Sequence, residues 1–117
     1  MQTPIPLDAG EFQARSDQAA ALLKAMAHPK RLMILCRLNG AEVSVNTLVQ
    51  ESTLSQSALS QHLQKLRDQG LVETRREGTR IYYRLADPAV AQIIATLMAI
   101  YCPELVADAP VEATEDR

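Results

Sequence analysis

The chain has 117 residues, 47% of them hydrophobic and 22% charged, the profile of one soluble globular domain and not of a disordered chain. No apolar run is long enough to span a bilayer, and the opening MQTPIPLDAG lacks the basic and apolar regions of a secretory signal. The expected location is therefore the cytoplasm, where thiols stay reduced.

The net charge of −2 hides an uneven distribution. Residues 1–54 carry five basic and five acidic side chains, residues 55–84 carry six basic and three acidic, and residues 85–117 set Arg117 alone against six carboxylates. A basic segment inside an acidic protein fits a local polyanion site. With three Tyr, one Phe and no Trp, aliphatic side chains must fill the core.

Residues 1–10, with two prolines and a glycine, read as a flexible arm. A first helix is expected from about Glu11 to Ala27, with Ala19, Ala20, Leu22, Leu23 and Met26 forming a broad apolar stripe. His28-Pro29 breaks it, and Pro29 suits the first position of a second helix that ends at Asn39-Gly40. Ser44 caps a short third helix, with Val43 and Leu48 at the spacing of a hydrophobic staple. Ser52-Thr53-Leu54 turns the chain into the most informative stretch, Ser55 to Leu71. Ser55 is its N-cap, Leu54 and Leu59 staple its start, and Gly70 stops it. Leu59, Leu63 and Leu66 share one face, while Gln56, Ser57, Ser60, Gln61, Gln64 and Arg67 occupy the other. A surface of amides and hydroxyls suits base edges in a major groove, although an ordinary solvated helix face has the same composition. Val72 to Arg76 and Arg80 to Leu85, joined by Glu77-Gly78-Thr79, predict a β-hairpin in which Ile81, Tyr83 and Leu85 alternate with Arg80, Tyr82 and Arg84. Asp87-Pro88 opens a last helix to about Tyr101, apolar nearly all round, which calls for burial on more than one face. Residues 103–117 read as an acidic, disordered tail.

A short helix, a tight turn and a longer amphipathic helix make a helix-turn-helix. With the hairpin and the closing helix, residues 11–102 form one mainly α domain with a β wing, a winged helix-turn-helix of order ααααββα. Over about Ala19 to Tyr101 the chain resembles the ArsR family of bacterial winged-helix repressors. The likeness rests on LLKAMAHPKRLMIL, on LSQSALSQHLQKLRDQGLVETRREGTRIYYRL and on the order of the segments. It implies a homodimer formed through the first and last helices, double-stranded operator DNA with an inverted repeat, and repression relieved by an inducer. Two recognition helices on a two-fold axis meet major grooves roughly 34 Å apart, or a multiple of that.

Gln56, Ser57, Ser60 and Gln61, in the first turns, are the candidates for base contacts. Lys65, Arg67, Arg75, Arg76, Arg80 and Arg84 are candidates for phosphates or, at the wing tip, for the minor groove. His62 is either at the edge of the contact surface or a hydrogen-bonded packing residue. Tyr82 and Tyr83 read as wing-packing residues.

Thiolate metal sensors of the family carry Cys-x-Cys in the third helix, where this chain has Glu42-Val43-Ser44-Val45-Asn46. Zinc-type sensors carry carboxylates and histidines on the last helix, where Asp87 is the only such group before Glu104. His28 and His62 lack ligand spacing, so neither a metal nor a cofactor is expected. Cys36 and Cys102 remain. Free cysteines are commonly small buried hydrophobes, but this pair resembles the persulfide-sensing branch of the family (SqrR, BigR and HlyU types). That resemblance implies a reduced form that binds the operator, and release when reactive sulfur species or low-molecular-weight persulfides link the two cysteines. The genes controlled would be those of the sulfide and persulfide response. Thiols whose Cα atoms lie beyond about 7 Å resist a plain disulfide, and added sulfur atoms span the gap. Cys102, at a helix C-terminus, is disfavoured as a thiolate, which leaves Cys36 as the first to react. The same cysteines would also serve a repressor responding to general thiol oxidation or to arsenite, and a winged helix can contact protein instead of DNA. No phosphate loop and no nucleophile–base constellation points to an enzyme.

Overall fold

Helices α1 to α5 each begin where the chain supplies a side-chain acceptor for an unpaired N–H group. In the computed structural model, which describes residues 8–108, Asp8 caps α1 (Ala9–Met26) by accepting from the Glu11 N–H. The Nδ1 atom of His28 accepts from the Lys30 N–H at the head of α2 (Pro29–Arg37). Ser44, Ser55 and Asp87 do the same for α3 (Val45–Glu51), α4 (Gln56–Asp68) and α5 (Pro88–Tyr101). The chain starts α1 two residues before the expected point because Asp8 is a better cap than anything that follows it. Residues 8–10 thus leave the expected arm, whose first seven residues lie outside the described part. Beyond Tyr101 the chain does not end its ordered structure: it turns at Cys102 and forms α6 (Pro103–Asp108), with Leu105 N–H bonded to the Cys102 carbonyl. Residues 103–108 of the expected acidic tail form this short helix, with Pro103 in a first-turn position; residues 109–117 lie outside the described part.

The wing has one strand more than the hairpin. β2 (Val72–Glu77) and β3 (Arg80–Leu85) pair antiparallel with Val72 opposite Leu85 and Glu77 opposite Arg80. β1 (Val43–Ser44) adds to the other side of β3, Val43 opposite Tyr83, giving the order β1-β3-β2. Two residues carry no readable alternation, so β1 is visible only in the fold. It ties the head of α3 to the base of the wing.

The core joins α2, α4, α5 and the base of the wing. Leu35, Val90 and Ile94 are fully enclosed, and Leu38, Leu59, Leu66 and Leu71 nearly so. By contrast α1 buries only Ala25 and Met26. Phe12 and Leu23 on α1, Ile100 and Tyr101 on α5, and Leu105 on α6 are exposed. Among the described residues no helix is long and apolar enough to cross a membrane.

Replacing Leu35 with Ala removes a side chain from the centre of this core, and urea unfolding should show a loss of about 2–5 kcal/mol. Ser55→Ala, which removes only the cap of α4, should cost about 1 kcal/mol in the same assay.

Candidate nucleic-acid interface

The seat of α4 is set at both ends. Ser55 Oγ accepts from the Ala58 N–H at 3.1 Å. At the other end Gly70 adopts φ +78°, a conformation side chains avoid. Its N–H bonds to the Arg67 carbonyl and that of Leu71 to the Leu66 carbonyl, both at 3.0 Å, the paired bonds of a Schellman motif. Leu59, Leu63 and Leu66 are buried, so the opposite face must point outward. Gln56, Ser57, Ser60, Gln61, Gln64, Lys65 and Arg67 are all exposed. Gln64 donates to Asp68 within the helix at 2.8 Å, while the earlier turns present uncharged donors and acceptors. The predicted base-reading residues therefore share one solvent-facing surface.

The wing sorts its arginines by the pleat. Glu73, Arg75 and Glu77 alternate onto one face of β2, opposite Arg84, Tyr82 and Arg80 on β3. Arg75 forks onto both oxygens of Glu42 at 2.8 and 3.0 Å, donates to Glu77 at 3.0 Å and lies 4.6 Å from the Tyr82 ring centroid. The Arg75 hydrogen bond holds the Glu42 carboxyl below its ordinary range. Arg84 is likewise bound to Glu73. Arg75 and Arg84 thus both have carboxylate partners within the wing, and Arg75 braces β2 against the residue preceding β1. Composition registered six basic side chains here but could not say which were paired across strands. Arg76 and Arg80 are exposed beside the tip, on opposite faces, with no salt bridge among the described residues.

His62 is half-buried and packed against α2 and the residue that caps it. Its ring lies against that of His28, centroids 4.6 Å apart, and its Nδ1 accepts from Arg31 Nε at 3.4 Å. Arg31 is the residue the sequence reading missed: periodicity placed it on the outer face of α2, and nothing in the spacing signals a partner on α4.

The two cysteines come from the last turn of α2 and the C-cap of α5. Both are free and half-buried. They are near enough for charge on Cys102 to act on Cys36, whose thiol is pushed above its ordinary 9.0 first by burial and then by that charge. Arg37, the cation beside Cys36, is engaged with Glu51 at 2.6 and 3.0 Å. Burial and the neighbouring charge thus both work against a thiolate at Cys36. Next to the pair, Asn39 Nδ2 donates to Met98 Sδ at 3.6 Å, a second tie between the end of α2 and α5. Among the described residues no three His, Cys, Asp or Glu side chains converge as metal ligands.

Residues 28–74 match the family described as "Bacterial regulatory protein, arsR family". The HTH-type transcriptional regulator YgaV of Escherichia coli (strain K12) is 52% identical over 94 residues, covering 80% of this chain and 95% of that protein. The Biofilm growth-associated repressor of Agrobacterium fabrum is 44% identical over 108 residues, 86% of this chain and 92% of that one. The solved structure of reduced HlyU from Vibrio cholerae N16961 aligns with a TM-score of 0.76 at 48% identity, over 79% of this chain and 97% of that one. Likeness of this extent, over the helix-turn-helix and the wing alike, shows that the chain belongs to the ArsR family of bacterial regulatory proteins and is a winged helix-turn-helix transcriptional regulator, not an enzyme.

Proposed function

We propose that the protein is a cytoplasmic repressor that binds an inverted-repeat operator as a homodimer and lets go when reactive sulfur species link Cys36 to Cys102. The observation that carries the DNA half is the exposed, uncharged first half of α4, flanked by Lys65, Arg67, Arg76 and Arg80. Gln56, Ser57, Ser60 and Gln61 read bases, and the four cations hold phosphates or the minor groove. Exposed Phe12 and Leu23 on α1 with Ile100 and Tyr101 on α5 supply an apolar surface for a second copy, which fits the two-fold symmetry of such sites. The Agrobacterium relative is a repressor by name, which agrees with the proposed sign of regulation.

The sensing half is supported by two free thiols within electrostatic reach at the joint of α2 and α5. One thiolate takes the outer sulfur of a low-molecular-weight persulfide, releasing that donor's thiolate and becoming a protein persulfide. The second thiolate attacks its inner sulfur, the bond between the two sulfurs of the persulfide breaks, and hydrosulfide leaves as the disulfide forms. Polysulfide donors leave extra sulfur atoms in the bridge. A link between these positions changes how α5 packs on α2, and through α2 the spacing of paired recognition helices. Genes for sulfide and persulfide handling are the expected targets.

Cys36→Ser and Cys102→Ser should each keep operator affinity in a fluorescence anisotropy assay and lose release by glutathione persulfide. Normal release in either variant would rule out the bridge. Mass spectrometry after glutathione persulfide, peroxide or arsenite separates the three inducers by the mass each leaves. Because Cys36 stays protonated at neutral pH, its alkylation by iodoacetamide in the Cys102→Ser variant should climb about tenfold per pH unit and not level off below 9.0. Arg76→Ala and Arg80→Ala should each lower the slope of log affinity against log salt by about one. Arg75→Ala should leave that slope unchanged.

A further inference from the structure

Arg31 links α2 both to the helix before it and to α4, thirty-one residues further on. From α2, its Nη1 donates to the carbonyl of Ala25 in the last turn of α1 at 3.3 Å, and its Nε donates to Nδ1 of His62 on α4 at 3.4 Å. One planar guanidinium thus spans from the end of α1 to the recognition helix, a reach that needs its fork of donors. His62 can accept at Nδ1 only when that nitrogen carries no proton, so its ring is neutral with the proton on Nε2. Its ring also packs against that of His28 at a tilt of 58°, and the Nδ1 of His28 is occupied in capping α2. The charged and titratable groups acting on His62 are His28 from the α1–α2 junction, Arg31 from α2 and Lys65 from its own helix. None is a carboxylate. A proton on His62 would break the Arg31 bond and set a new cation among these groups.

We propose that Arg31 is a positioning residue for DNA binding, fixing the recognition helix against α1 through an uncharged His62, and that mild acid undoes this tie and weakens the hold on DNA. The proposal rests on the DNA-binding reading above. Its sign follows from the surroundings. Burial first, then His28, Arg31 and Lys65, hold His62 below the ordinary 6.5. A group depressed in this way is neutral in the folded protein at pH 7. The stabilisation it provides is present above 6.5 and is lost as the pH falls through and below that value. Were His62 instead a direct phosphate contact, acid would charge it and tighten binding.

The test uses the full chain and a duplex that the wild-type protein selects from a random pool at about pH 7.5, with affinity read by anisotropy down to about pH 5.5 and far-UV circular dichroism confirming the fold. Wild-type affinity should fall roughly tenfold over this range. His28→Asn, which caps α2 without titrating, should retain the fall. His62→Gln, whose amide oxygen accepts from Arg31 without titrating, should remove it. Arg31→Ala should weaken binding roughly tenfold at the higher pH with an unchanged salt slope, because no phosphate contact is lost. In the DNA-free Arg31→Ala protein, NMR should show His62 titrating at higher pH than in wild type. Acid tightening of wild-type binding, an acid loss that survives His62→Gln, or a lower salt slope in Arg31→Ala would each overturn the proposal while leaving DNA binding intact. Failure to select any duplex at the higher pH would instead bring down the DNA-binding reading and this proposal with it.

Discussion

Burial of Leu59, Leu63 and Leu66 is the constraint from which the rest of the molecule follows. These three side chains occupy one stripe of a helix about 20 Å long, and once they are enclosed the helix has no rotational freedom left. Every residue on the opposite stripe must then face solvent. The Ser55 cap and the Gly70 terminus set where the helix starts and stops, so its register along the axis is fixed as well. The surface proposed to read bases is thereby built without any residue on it contributing to the core. That separation leaves the amides of Gln56 and Gln61 and the hydroxyl of Ser60 exposed to solvent.

The second helix joins the two halves of this design. Its central residues, Ile34 and Leu35, are buried in the core, its first turn carries the Arg31 tie to the recognition helix, and its last turn carries Cys36. Arg31 and Cys36 are five residues apart, about 7.5 Å along the axis. A helix this short behaves as a rigid strut, so under the proposed sulfur-sensing reading a covalent change at its thiol end would be passed to its arginine end. The neighbouring contact between Asn39 and Met98 shows how closely the end of α2 is already coupled to α5. This offers a physical route from sulfur chemistry to helix geometry that needs no contact between inducer and DNA surface.

The wing follows a different logic. Its arginines divide into those that hold the hairpin together and those left outside it. Arg84 lies in register with Glu73 and Arg75 with Tyr82, Arg75 also binds Glu42 and Glu77, and these contacts tie the strand pair together. Arg76 and Arg80, nearer the turn, make no salt bridge among the described residues, although Arg80 stands opposite Glu77. Exposed ion pairs of this sort add little to stability, and their effect here is to decide which charges remain for a polyanion.

The chain alone determined whatever depends on neighbours a few residues apart. Caps at Ser44, Ser55 and Asp87, the stop at Gly70, the leucine stripe of α4 and the hairpin alternation are all local relations, and each is found as the spacing required. Family membership was legible for the same reason, because a long contiguous string carries it. Tertiary structure alone decided what depends on pairs far apart: that Glu42 engages Arg75, that Arg31 reaches His62, that β1 joins the sheet, and that the thiols of Cys36 and Cys102 lie within reach of each other's charge. Periodicity says which face a side chain is on and nothing about what stands opposite, since that is set by how packed helices and paired strands cross in space.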